Sequence, residues 1–154
     1  MKNVEYDIKI LKQLEKQANA PNDFKVYETR DGKFSSRIGP YFLKGKKPNV
    51  TFGIRIMQHH TNLNGVAHGG LLMAFLDTVG GHIAASISGE PSVTAMFNSS
   101  FLRPVPLGTW AEATAKVLKN GNKAVFVRAT MTVEESVVCS VEGLWQKINK
   151  KVVI

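Results

Sequence analysis

The stretch from residue 66 to residue 88 limits most what this chain can fold into. Leu72, Phe75, Leu76, Val79, Ile83 and Ile87 recur near i, i+3, i+4, i+7, i+11 and i+15, the spacing of one face of an α-helix. Ala74, Gly80, Gly81, Ala84 and Ala85 fill much of the remaining circumference, so little of the helix is polar. Such a segment either crosses a bilayer or lies inside a fold. His68, Asp77 and His82 interrupt it, and ionisable groups are costly in a bilayer, so a buried helix is expected. An interior glycine weakens a helix by ~1 kcal/mol relative to alanine. Gly80 and Gly81 in succession therefore predict a neighbour that packs very close, or a ligand that needs the space.

A helix apolar nearly all round must be surrounded, and the rest of the chain supplies the wrapping. Residues 93–102, 110–118, 123–133 and 137–148 are rich in Val, Thr, Phe and Ala and read as four successive strands. Asn120-Gly121 and Glu134-Glu135-Ser136 predict hairpin turns between them, while Pro104 and Pro106 separate the first strand from the second. Upstream, Val50, Phe52, Ile54 and Ile56 alternate with Thr51, Gly53, Arg55 and Met57, the period of a half-buried strand. The expected class is α+β: an antiparallel sheet curled around one long helix. Val4, Ile8, Leu11, Leu14 and Ala18 add an amphipathic opening helix over 4–18, ended by Pro21-Asn22. Residues 24–45 read as irregular, with turn signals at Asp31-Gly32 and Gly39-Pro40 and one short strand around 41–44. The 154 residues fit a single domain over 1–154, with 1–36 as helix and irregular extension and 37–148 as its core.

The formal net charge of +8 leaves several partners open. Lys9, Lys12 and Lys16 share one side of the opening helix, which is the pattern of a solvated face. No recognition motif or aromatic stacking pattern accompanies the scattered lysines, so no nucleic acid partner is expected. A smaller polyanion, such as a nucleotide-bearing group, suits the same charge. The single Cys139, within an apolar run, is expected as a small core side chain. Residues 1–16 lack the apolar stretch of a signal peptide. Together these predict a cytoplasmic protein with no membrane association.

Chemistry concentrates in the run Asn62-Leu63-Asn64-Gly65-Val66-Ala67-His68-Gly69-Gly70, which leads into the helix carrying Asp77. Gly69 and Gly70 fall at the helix start, where backbone N–H groups lack intrahelical partners. With the positive end of the helix dipole, these donors can hold a carbonyl oxygen as it becomes an oxyanion, and glycine leaves the approach open. A plain glycine turn is the alternative. Asp77 lies mid-helix among Leu72, Phe75, Leu76 and Val79, where an unpaired carboxylate is expensive to bury. An aspartate on an exposed stripe is the alternative, but so little of the helix is polar that a functional carboxylate is expected. Gly69 and Asp77 are separated by ~12 Å along one helix axis. A carbonyl held at Gly69 is therefore out of reach of Asp77 in the same chain. If both act on one substrate, two chains must share the site, as two antiparallel helices related by a twofold would allow. No Gly-x-Ser-x-Gly elbow, Cys/His pair or phosphate-cradling loop is present. His59, His60 and His68 have no carboxylate at a standard ligand spacing, and no metal is expected.

The run from Asn62 to Asp77, the strand ending in Phe101-Leu102-Arg103-Pro104 and the Leu107-Gly108 turn resemble the hotdog-fold acyl-CoA thioesterases of the phenylacetate-degradation (PaaI-like) type. The likeness covers roughly residues 37–148. It implies a hotdog fold, in which a long central helix is wrapped by the sheet. It also implies hydrolysis of a CoA thioester to acid and free CoA, with no cofactor beyond the CoA of the substrate, and assembly as a dimer or dimer of dimers. By the same resemblance Asp77 takes the position of the catalytic acidic residue, and Gly69 that of the N–H polarising the thioester carbonyl. Asn62 would orient the carbonyl or the attacking water, and Thr94 would help place that water. His68 and Asn98 would support the site, beside Gly70. Arg103, Arg128, Lys119 and Lys123 are candidates to meet the CoA phosphates. Two other readings stay open: a hotdog enoyl-thioester hydratase, with His68 as base, and an acyl-CoA-binding module without catalysis.

Overall fold

Strand-forming segments separated by short turns produce one antiparallel sheet. The computed structural model describes residues 3–27 and 34–148. Its strands are β1 (Lys25–Val26), β2 (Phe42–Lys46), β3 (Asn49–Arg55), β4 (Ser92–Phe101), β5 (Trp110–Asn120), β6 (Ala124–Val133) and β7 (Ser136–Lys147). They lie in the order β1-β2-β3-β5-β6-β7-β4, so β4 pairs with β7 alone and has a free edge. Helices are α1 (Asn3–Ala18), α2 (Phe34–Arg37) and α3 (Gly69–Ser88). The four strands read from sequence after residue 92 are all present, as is the alternating strand before them. The region 24–45 is more ordered than expected, because β1 pairs with β2 and α2 supplies one further turn. The turn expected at Asp31-Gly32 lies outside the described residues.

Helix α3 is long and apolar enough to cross a membrane by composition, yet it packs on β4, β5, β6 and β7 as the core helix. Its His68 cap and its left-handed Gly89 (φ 71°), whose N–H returns to the Ala85 carbonyl, set the two ends. Leu71, Leu72, Phe75, Leu76, Val79 and Ile83 are buried against Phe52, Ile54, Ala113, Ala129, Met131 and Val141 from the sheet. The glycine pair is explained by Trp145 of β7. A Cβ on Gly80 would fall within 2.5 Å of the indole Cζ2, and one on Gly81 within 3.2 Å of Nε1. The space serves a tryptophan, not a ligand.

Enclosure of α3 is incomplete, which corrects the expectation of a helix surrounded on nearly every side. Met73 and Ile87 are exposed, and Ala74, Asp77, Gly81 and Ala85 are only half-buried. Gly70, Met73, Asp77 and Gly81 follow helical spacing and form one open stripe. The adjoining strand β4 shares this exposure: Val93, Met96 and Phe101 are each about half accessible.

Helix α1 is fixed to the sheet by its own seam and by one arginine. Leu11 and Ala18 are buried, and Ala18 clusters with Phe24 and Phe42. Arg55 at the end of β3 donates from Nε to the Ala18 carbonyl (2.9 Å), from Nη2 to that of Asn19 (3.0 Å) and from Nη1 to that of Gly108 (3.0 Å). A cation on the last carbonyls of a helix also complements its dipole.

Candidate active site

The segment between β3 and α3 folds back on itself before the helix begins. Gln58–His60 form a single 3₁₀ turn, and Thr61 bridges Ala67 across the loop that follows. Asn62 donates its N–H to Val66 and accepts from Gly65, while its Oδ1 accepts from the Asn64 N–H at 2.9 Å. That side chain therefore spends one oxygen on the turn and keeps its amide donors. His68 caps α3: its Nδ1 accepts from the Gly70 N–H at 2.9 Å, and its carbonyl accepts from Leu71. Of the two glycine donors expected at the helix start, Gly70 is thus already used. Among the described residues nothing accepts the Gly69 N–H.

Gly69 belongs to the wall of a cleft of about 290 Å³, with Ala67, Leu72, Phe101, Leu102, Arg103 and Val105. The Phe101 ring lies over Gly69, 3.4 Å from where a Cβ would stand. Nothing in the sequence beyond the family resemblance marked Phe101, because its position over the helix end arises from strand pairing. Arg103, at the mouth of this cleft, anchors one guanidinium nitrogen on the Val137 carbonyl.

Two turns along α3, Asp77 is half-buried on the open stripe. The expectation that it sits in an enclosed apolar setting is therefore not met within one chain. Thr94 marks it instead: the Thr94 hydroxyl donates to Asp77 Oδ1 at 2.6 Å, leaving Oδ2 uncommitted. A bulge makes this contact possible. Register shifts between Thr94 and Met96, so Ala95 is the extra residue. Thr94 lies opposite the buried Trp145 and faces the helix; beyond the bulge Phe97, Ser99 and Phe101 do the same, opposite Gly143, Val141 and Cys139. Asn98 pairs with exposed Glu142 and falls on the outer face of the sheet. It is not brought to Asp77 or Gly69.

The remaining basic candidates also separate. Arg128 is paired with Glu142 on that outer face, its Nε 2.8 Å from Oε1. Lys119 and Lys123 flank the β5–β6 hairpin, beside the start of β4 and away from the Gly69 cleft. Of the four basic candidates, Arg103 alone lines the same cleft as Gly69. Asn62 and His68 share a neighbouring open depression with Gln58 and Thr61.

Residues 64–140 match the family model of the thioesterase superfamily. The Pseudomonas aeruginosa protein PA0474 is 30% identical over 131 residues, covering 82% of this chain and 96% of that protein. Human acyl-coenzyme A thioesterase 13 is 28% identical over 106 residues, covering 68% of this chain and 76% of that protein. Among solved structures, the PaaI protein of the E. coli phenylacetic acid degradation operon has a TM-score of 0.62 at 22% identity, covering 65% of this chain and 72% of that one. A Streptococcus pneumoniae thioesterase described as hypothetical, solved with coenzyme A, has a TM-score of 0.67 at 19% identity, covering 71% and 89%. The chain belongs to the thioesterase superfamily and has its hotdog fold.

Proposed function

We propose that this protein hydrolyses acyl-CoA thioesters, in the cytoplasm, with each active site built from two copies of the chain. The observation that carries the reading is an unpartnered Gly69 N–H at the start of α3, with a Thr94-held carboxylate eight residues further on. Family membership supports thioester chemistry, and acyl-coenzyme A thioesterase 13 supports CoA as the thiol.

In this reading the Gly69 N–H and the helix dipole hold the thioester carbonyl oxygen, and Asn62 orients the carbonyl or the water through its free amide donors. Asp77 of the second chain takes a proton from water at Oδ2 while the water oxygen bonds to the carbonyl carbon. Collapse of the tetrahedral oxyanion breaks the C–S bond, and the CoA sulfur leaves with a proton. Direct attack by Asp77, giving an anhydride that water then opens, uses the same geometry. A single turnover in ¹⁸O-water identifies the second, since label appears in the Asp77 carboxyl only when water opens an anhydride at the Asp77 carbonyl. In the same reading Arg103, which lines the Gly69 cleft, meets a phosphate of CoA. The ~12 Å between Gly69 and Asp77 supports a dimer, or a dimer of dimers, as do the open stripe and the free β4 edge. His68 acts here as a helix cap, its Nδ1 taken by the Gly70 N–H, which favours hydrolysis over a hydration that needs this ring as base.

The test is release of free thiol across aromatic, short-chain and long-chain acyl-CoAs. Wild type is expected to turn over at least one class, and Asp77→Asn to lose at least ~10²-fold in kcat while still binding CoA. Binding of acyl-CoA with no hydrolysis by wild type would establish a binding module instead. An Asp77→Asn chain as fast as wild type would remove Asp77 from the mechanism.

A further inference from the structure

His60 is the one histidine of this region that is fully buried, at 2% exposure, and none of the chemistry above uses it. Its side chain and main chain point to different elements. Nδ1 accepts from the Met57 N–H at 3.0 Å, just past the end of β3. The His60 carbonyl accepts from the His68 N–H at 2.8 Å, at the start of α3. Its ring meets that of His59 at a tilt of 55° with centroids 3.9 Å apart, and His59 Nε2 reaches the Gly39 carbonyl at 3.2 Å. Nε2 of His60 is buried without a partner of good geometry, although the carbonyls of Gly39 and Ile38 lie close enough to favour a proton there. With Nδ1 accepting, the neutral ring carries its proton on Nε2.

These contacts form a chain that ends at the active site. Met57 holds the His60 ring, His60 holds the His68 backbone, and His68 holds the Gly70 N–H through its own ring. The same chain leaves the Gly69 N–H as the open donor. We propose that His60 is a positioning residue for the Gly69 oxyanion site, tying the end of β3 to the first turn of α3. The inference rests on the proposed function for its consequence in turnover, and on geometry alone for its consequence in structure. A misplacement of the donor by an ångström costs catalysis far more than it costs binding, because the oxyanion forms only in the transition state.

Two substitutions separate positioning from bulk packing. His60→Leu fills the cavity but removes the acceptor for the Met57 N–H, whereas His60→Asn returns an oxygen near the place of Nδ1. Steady-state kinetics on the best acyl-CoA should show kcat reduced on the order of 10–10²-fold in His60→Leu, with KM changed little. His60→Asn should recover most of that loss. Val127→Ala, a core truncation away from the loop, is expected to lower the melting temperature without that fall in kcat. Amide hydrogen exchange followed by NMR gives a readout independent of activity: His68 and Gly70 should lose protection in His60→Leu and regain it in His60→Asn. A His60→Leu chain with wild-type kcat and unchanged protection at His68 and Gly70 would overturn the proposal, as would a kcat loss matched by Val127→Ala. Should wild type hydrolyse no acyl-CoA, the functional reading falls by itself, and the exchange pattern still decides whether His60 holds the helix start.

Discussion

Gly69 lies outside the left-handed region of φ, and a Cβ built on it would meet the Phe101 ring first, at an ordinary contact distance of 3.4 Å. Neither a positive φ nor the nearest packing within the chain requires glycine there, in keeping with the proposal that a ligand approaches its N–H. Gly69→Ala is therefore expected to melt within a few degrees of wild type and to lose on the order of 10²–10³ in kcat. A thermal melt paired with kinetics on one acyl-CoA checks both halves, and a stable, fully active variant would take Gly69 out of the mechanism. His60 permits a second prediction at this scale. Burial, with the adjacent His59, lowers its pKa from the ordinary histidine value to about 4, against the pull of the Gly39, Ile38 and Arg55 carbonyls. Between that value and the unfolded value of 6.5 the unfolded chain binds more protons than the folded one, so stability falls as pH drops through this window. Unfolding free energies from urea denaturation at pH 7 and pH 4.5 should differ by roughly 2–3 kcal/mol more in wild type than in His60→Asn. Equal differences would mean that His60 is not held neutral.

Helix α3 and strand β7 meet through an indole laid into a floor of glycines. Gly80 of α3 and Gly143 of β7 both face Trp145, and a Cβ on Gly143 would stand 2.6 Å from its Cζ3. Close approach of helix to sheet here sets how far α3 sits from β4, and so whether Thr94 reaches Asp77. Gly80→Ala should raise helix propensity yet destabilise the protein by ~1–3 kcal/mol, because overpacking a filled site outweighs the propensity gain. Gly81→Ala, whose nearest contact would be the indole Nε1 at 3.2 Å, should cost less. Chemical denaturation of the two variants side by side tests the order, and a Gly80→Ala chain at least as stable as wild type would contradict it. The bulge at Ala95 belongs to the same scale: one extra residue in β4 is what allows Thr94 and Phe101 both to face the helix.

For the whole molecule, the free edge of β4 and the open stripe of α3 adjoin, and Asp77 lies where they meet. A second copy across a twofold would cover both and bring its own helix start to this carboxylate. Mixing Asp77→Asn chains with Asn62→Ala chains tests the arrangement. In a shared site each heterodimer has one site with both lesions and one with neither, so activity should return in part after subunit exchange. Heterodimers verified by mass spectrometry that stay as inactive as the parents would show that each chain works alone.

Periodicity alone determined the long helix, the strands that follow it and the α+β class, because burial of an apolar face repeats at 3.6 or 2 residues whatever the distant contacts are. The run from Asn62 to Gly70 and the position of Asp77 were likewise legible, since helix-start glycines and a mid-helix carboxylate are local features. What needed the tertiary structure was every relation between elements. Gly80-Gly81 left a close-packed neighbour and a ligand both open until Trp145 of β7 was placed beside them. Asn98 was expected at the site, and the bulge at Ala95 with its strand register turned it to the outer face. Asp77 was expected to be enclosed, and strand order left its stripe open. Phe101 and His60 gained their places over and beneath the helix start from contacts between residues 32 and 8 positions apart or more distant elements, which no local pattern encodes. Local sequence fixes which face of each element is apolar, but only packing decides which faces meet.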